Sequence, residues 1–131
     1  MNMQRYLVDC SALYPLILKM REKIILYKDA FSILDLTIYE VGNVLWKEHG
    51  KGRIRNLKSA ANLFQHVLDQ LPKLSVDDIG EVLDLAVRMK LTFYDAAYIH
   101  VARKQGLKLI TEDREVLSKY PEAIRVDQLE I

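Results

Sequence analysis

Four carboxylates stand out for their placement: Asp9, Glu40, Asp95 and Asp113. Asp9 closes the short apolar run RYLVD, and Asp113 follows the apolar segment LKLI by three residues. Glu40 and Asp95 each fall at the start of an expected helix. Ionised carboxylates a few ångströms apart repel by ~1 kcal/mol per pair in water and ~4 kcal/mol at an effective dielectric of 20. A cluster of them is tolerated only if some are protonated or a cation sits among them. Ligands that are all oxygen favour a hard ion with a water-rich shell, Mg²⁺ or Mn²⁺. Such an ion could activate water and stabilise the leaving oxygen in phosphodiester hydrolysis. Zinc fits poorly, because His49, His66 and His100 show no ligand spacing and Cys10 stands alone.

Each acid also has a structural alternative. Thr37-x-x-Glu40 and Thr92-x-x-Asp95 match capping boxes or close relatives, in which the acid satisfies a helix N-terminus. Asp113 can serve as a first-turn helix acid, and Glu112 beside it carries the same charge. Asp9 is harder to reduce to a cap, since a carboxylate ending a buried strand needs a partner. Only joint placement at one end of a sheet favours a site, and the fold must supply it.

The elements that would do so can be read along the chain. Arg5 to Asp9 is expected as the first strand, followed by a helix over Ala12 to Met20 that tolerates Pro15 in its first turn. A second short helix is expected over Arg21 to Tyr27 and a buried strand over Ala30 to Leu34. A helix from Thr37 to about Glu48 stops at His49-Gly50-Lys51-Gly52. Arg53 to Leu71 carries Ile54, Leu57, Ala61, Phe64, Leu68 and Leu71 in steps of three and four, an apolar helical stripe that Pro72 ends. Ser75-Val76-Asp77-Asp78 announces a helix over Ile79 to Met89. Tyr94 to Gln105 is another, closed by Gly106. Leu107 to Ile110 is a strand, Arg114 to Ser118 a short helix, and Ala123 to Val126 a last edge strand. Strands separated by helices imply parallel pairing. The expected fold is therefore a three-layer α/β/α arrangement around a central parallel sheet of four or five strands. In such sheets functional groups gather beyond the C-terminal strand ends, where strand order reverses.

The 131 residues suit a single domain, with no repeat or linker. Half are hydrophobic and 28% charged, which argues against disorder. A net charge of +1 excludes a polybasic nucleic-acid binder, so any such contact must be local. No apolar stretch approaches the ~20 residues of a membrane span, and no signal-peptide pattern opens the chain. A cytoplasmic protein is expected.

Tyr6-Leu7-Val8-Asp9-Cys10-Ser11-Ala12-Leu13 resembles the opening strand of the PIN-domain family, especially its VapC-type toxins. Leu36-Thr37-Ile38-Tyr39-Glu40-Val41-Gly42-Asn43-Val44-Leu45 is similar to the family's second motif, and Leu91-Thr92-Phe93-Tyr94-Asp95-Ala96-Ala97-Tyr98-Ile99 to its third. Leu107-Lys108-Leu109-Ile110-Thr111-Glu112-Asp113 is similar to the fourth, whose T-x-D pattern selects Asp113 over Glu112. Two departures are Cys10, where a small polar residue is common, and Val116, where some members carry a further acid. The resemblance implies that Asp9, Glu40, Asp95 and Asp113 bind Mg²⁺ or Mn²⁺, with Ser11 and Thr111 as supporting hydroxyls. It also implies an endoribonuclease acting on single-stranded or structured RNA, a homodimer, and inhibition by a small cognate antitoxin.

Other residues extend this reading. Asn43 and Lys47 share a helix face with Glu40; Asn43 could orient a water or the scissile phosphate, or be an ordinary polar helix residue. Lys47, Lys51, Arg53 and Arg55 form a basic run, solvated by default, that could steer RNA phosphates if it overhangs the acids. Trp46 and Tyr98 are candidates for burial or an interface, and His100 for a structural role. The rival functions are a non-catalytic RNA-binding or protein-interaction module on the same fold and a general RNA-processing nuclease. A phosphatase or receiver-like domain is weaker, because Asp9-Cys10-Ser11 lacks D-x-D spacing and no glycine-rich phosphate loop follows the first strand.

Overall fold

The computed structural model describes residues 5–129. Four parallel strands, β1 (Tyr6–Val8), β2 (Phe31–Leu34), β3 (Lys73–Leu74) and β4 (Lys108–Ile110), form one sheet in the order β3-β2-β1-β4. The chain leaves β1 for one neighbour, β2, and later returns to its other side with β4, so strand order reverses beside β1. Val8 pairs with Ile110, which sets the segments that follow β1 and β4 next to each other. The Asp9 N–H donates to the Ile110 carbonyl at 3.1 Å.

Alternation along the strands builds the two outer layers. Tyr6, Val8, Phe31 and Ile33 face one core, made with α1 (Cys10–Met20), α2 (Leu36–Gly50) and α3 (Leu57–Gln70). Leu7, Leu34 and Leu109 face the other, made with α4 (Ile79–Met89) and α5 (Phe93–Gln105). The short α6 (Arg114–Lys119) adds Val116 to this second core. This is the expected three-layer architecture.

Several boundaries differ from expectation, each for a local reason. Asp9 caps α1, so the helix starts at Cys10 and Pro15 falls in the second turn, where its missing N–H leaves the Ser11 carbonyl without the usual helical donor. Arg21 to Tyr27 is a 3-10 helix rather than an α-helix, entered through Arg21 at φ 54°. Asn56 caps α3 by accepting from the Ser59 N–H, so that helix begins four residues later than its apolar pattern suggested. Its buried face is Phe64, Val67, Leu68 and the following Leu71, whereas Leu57 and Ala61 are exposed. β3 was not expected; it is two residues long, begins immediately after Pro72 and pairs with β2. The last edge strand shrinks to one parallel bridge between Ile124 and Ile110, followed by a 3-10 turn, Val126–Gln128. Gly106 does close α5, in the left-handed conformation at φ 66° that glycine adopts without penalty. No helix among the described residues is long and apolar enough to cross a membrane.

Candidate active site

The C-terminal ends of β1 and β4 are joined through side chains. Asp9 is 6% exposed and both its oxygens are engaged. Oδ1 accepts from the Ser11 hydroxyl at 2.6 Å and from the Ala12 N–H at 3.1 Å, the latter being the cap of α1. Oδ2 accepts from the Thr111 hydroxyl. Thr111 Oγ1 in turn accepts the Asp113 N–H, and Ser11 Oγ accepts the Glu112 N–H. Ser11 and Thr111 therefore tie the loop after β4 to the carboxylate that ends β1.

Glu40 is fixed by a residue from another element. Tyr98 on α5 donates its hydroxyl to Glu40 Oε1 at 2.6 Å and lies 2.6 Å from Thr37 Oγ1. The single Tyr98 proton goes to Glu40, so Thr37 donates its hydroxyl to Tyr98 while accepting the Leu34 N–H, and the chain runs Thr37 to Tyr98 to Glu40. Thr37 is thus not the cap of α2, which is Asp35; it is fully buried and anchors the glutamate across the two helices. Thr92 does cap α5, accepting the Asp95 N–H at 3.1 Å, and Asp113 caps α6, accepting the Val116 N–H at 3.0 Å. Glu112 is occupied differently: its carboxylate accepts the Val126 N–H at 2.7 Å. Its role thus differs from that of Asp113, which caps α6.

The carboxylates influence one another in series. Burial, offset in part by the Ser11, Thr111 and Ala12 hydrogen bonds, pushes Asp9 up from 3.8 to about 6, with a further rise from the charge of Glu40. Burial also raises Glu40; Tyr98 opposes this and Asp95 adds to it. Burial raises Asp95, and the charges of Asp113 and Glu115 raise it further. Glu115 is a contributor that sequence reasoning missed, although it lies one position before Val116, where the family resemblance directed attention. Tyr98 was missed as a partner of Glu40; its one signal was its place three residues after Asp95 on the same helix. Burial, followed by the charges of Glu40 and Asp9, pushes the Cys10 thiol up to about 12, which makes it unreactive.

This donor set is all carboxylate and hydroxyl oxygen, the chemistry a hard divalent ion takes. Among the described residues no three His, Cys, Asp or Glu side chains are grouped tightly enough to hold a metal ion by themselves. Mg²⁺ commonly uses one or two carboxylates and keeps several waters, and the arrangement fits that mode rather than a closed protein cage.

The remaining sequence candidates lie along α2. Asn43 and Lys47 are exposed. Lys47 and Lys51 border one shallow hollow with Trp46, while Arg53 and Arg55 border another with Arg21. Arg53 also pairs with Glu48 at 3.2 Å. At 1.5 Å per residue the end of α2 is about 15 Å from Glu40 along its axis, so the basic loop sits far down the helix and does not overhang the acids. Trp46 is 70% exposed and Tyr98 buried.

A PIN-domain family profile matches residues 6–123, and the match spans every element that carries these acids. The chain belongs to the PIN-domain family. Within it the chain is of the VapC type: it is 46% identical over 124 residues to Exonuclease VapC9 of Pyrobaculum aerophilum, covering 95% of this chain and 92% of that one. It is 34% identical over 126 residues to Ribonuclease VapC3 of the same organism, covering 89% of this chain and 95% of the relative. The crystal structure of PAE2754 from Pyrobaculum aerophilum superposes with a TM-score of 0.85 at 45% identity, over 95% of this chain and 85% of the other. A toxin–antitoxin complex from Klebsiella pneumoniae shares the fold, with a TM-score of 0.60 at 21% identity, over 96% of this chain and 99% of the other.

Proposed function

We propose that this PIN domain is a divalent-metal-dependent nuclease that hydrolyses RNA phosphodiester bonds and acts as the toxin of a toxin–antitoxin pair. The observation that carries the reading is the series Asp113, Asp95, Glu40 and Asp9 at one end of the sheet, in which the charge of each disfavours ionisation of the next. The relatives named as a ribonuclease and an exonuclease support a nuclease, and the VapC names together with the toxin–antitoxin neighbour support an antitoxin partner. A homodimer belongs to the same proposal.

In this reading Asp9, Glu40, Asp95 and Asp113 hold Mg²⁺ or Mn²⁺, directly or through water. The ion supplies Lewis-acid activation of water and neutralises charge on the reacting phosphate. The chain's own residues set the geometry. Ser11 and Thr111 orient Asp9 and keep both its oxygens hydrogen-bonded, while Thr37 and Tyr98 hold one oxygen of Glu40 and leave the other for water or metal. Asn43, one turn beyond Glu40 and exposed, would position phosphate or water.

The test is cleavage of a 5′-labelled single-stranded RNA with and without EDTA, by the wild-type protein and by Asp9→Asn and Asp95→Asn. Metal-dependent products that disappear in both variants are expected, with circular dichroism unchanged. Undiminished activity in Asp9→Asn removes the proposal. The name of the 46%-identical relative favours a second reading, attack from a chain end. A circular RNA decides between them: internal cleavage opens it, and an exonuclease leaves it intact.

A further inference from the structure

The exposed face of α2 carries features that packing does not explain. Tyr39 is 79% exposed and Trp46 70% exposed, and they lie seven residues apart, two turns along one face. Gly42 lies between them. A glycine inside a helix costs about 1 kcal/mol relative to alanine. Nothing lies within 4 Å of where a Gly42 Cβ would be, so no neighbour within the chain requires its absence. Two aromatic walls about 10 Å apart along the axis thus flank a floor of bare backbone. One end of this strip adjoins Glu40. At the other end Trp46 borders a hollow with Lys47 and Lys51, the cationic chemistry of a phosphate track.

We propose that this face of α2 is a subsite for unpaired RNA, in which bases stack on Tyr39 and Trp46 while Lys47 and Lys51 hold the adjacent phosphates. The inference rests on the nuclease reading above and adds the residues of α2 that would hold the strand outside the acidic end of the sheet. Aromatic side chains beside a basic groove bind single strands through the exposed faces of their bases, which a duplex keeps stacked. The strip also gives the basic residues at the far end of α2 a role without requiring them to overhang the acids: they extend the path of the strand that leaves the site.

Trp46 is the chain's single tryptophan, so its fluorescence reports this surface directly. The full-length protein in EDTA, where no cleavage occurs, is titrated with an unstructured ten-nucleotide RNA and with a duplex of the same length. Quenching by the single strand, at least ten-fold weaker for the duplex, is expected. By anisotropy of a labelled strand, Tyr39→Ala and Trp46→Ala should each weaken binding about ten-fold, and Trp46→Phe should retain most of it. Both positions are exposed, so the fold should survive the changes, which circular dichroism checks. Equal quenching by duplex, or unchanged binding in both alanine variants, overturns the inference. So does a loss of self-association in Tyr39→Ala or Trp46→Ala with RNA affinity unaltered, because the face is then an interface between protein chains. Metal-dependent cleavage of the same strand is assayed in parallel. Cleavage without a stacking effect sinks only the subsite, whereas stacking without cleavage under any divalent metal sinks only the nuclease assignment.

Discussion

Replacing Asp9 by Asn should stabilise the metal-free protein at neutral pH even as it destroys the site. Asp9 is buried and its pKa rises from 3.8 to about 6, chiefly through desolvation. A group whose folded-state pKa lies above its unfolded value binds its proton more tightly when folded. Its contribution to stability is therefore greatest below about pH 4, falls as the pH rises and is fully lost above about pH 6. The interval corresponds to a cost on the order of 3 kcal/mol for holding the ionised group in place at pH 8. Asparagine is nearly isosteric: its oxygen can still accept from Ser11 and Ala12, and its amide can donate to Thr111 once that hydroxyl turns. It carries no charge to desolvate. Urea denaturation in EDTA at pH 8 should place Asp9→Asn above the wild type by up to ~3 kcal/mol, a difference that shrinks towards zero near pH 4. Saturating Mg²⁺ should reverse the order, because an ion that binds only the folded wild type adds stability by mass action. Wild-type apparent affinity for the ion should also fall as pH drops below about 6, where Asp9 takes up its proton. A metal-free wild type more stable than Asp9→Asn at pH 8, or a gap that does not change between pH 4 and 8, would refute the reasoning.

Further outcomes follow from individual contacts. Tyr98→Phe removes the donor to Glu40 and the acceptor for the Thr37 hydroxyl; it should cost ~1–3 kcal/mol in denaturant melts and weaken metal-dependent cleavage more than RNA binding. Thr111→Val breaks the bond to Asp9 and leaves the Asp113 N–H without its acceptor, so a loss of ~1–3 kcal/mol together with reduced cleavage is expected in the same two assays. Glu112→Gln should retain cleavage, since its carboxylate serves the Val126 N–H, whereas Asp113→Asn should lose it; equal loss in both would undo the choice between them. Phe64→Ala should lower stability by ~3–5 kcal/mol through a cavity beside Tyr14 of α1, on which its ring stacks, read from the urea midpoint.

The separation between what was readable in the chain and what was not follows the range of the forces involved. Local signals succeeded. The polar residues Asp78 and Thr92 cap α4 and α5 where expected, and Gly106 takes the left-handed turn that only a residue without Cβ adopts cheaply. Strand alternation and intervening helices were enough to infer a parallel three-layer fold.

The failures arose where a partner is distant in sequence. β3 is two residues long and exists only because β2 supplies its hydrogen bonds. The apolar pattern of α3 contained two overlapping stripes of equal spacing, and only packing against the 3-10 helix Arg21–Tyr27 and α2 selected the one through Val67 over the one through Ala61. Thr37 reads as a cap because that pattern is local, yet its hydroxyl is directed by Tyr98, sixty-one residues away. The chain by itself determined which residues are acidic, where α4 and α5 are capped, and that the strands run parallel. Only the tertiary structure decided which carboxylates feel one another's charge, because burial and proximity, not residue type, set the cost of ionising them.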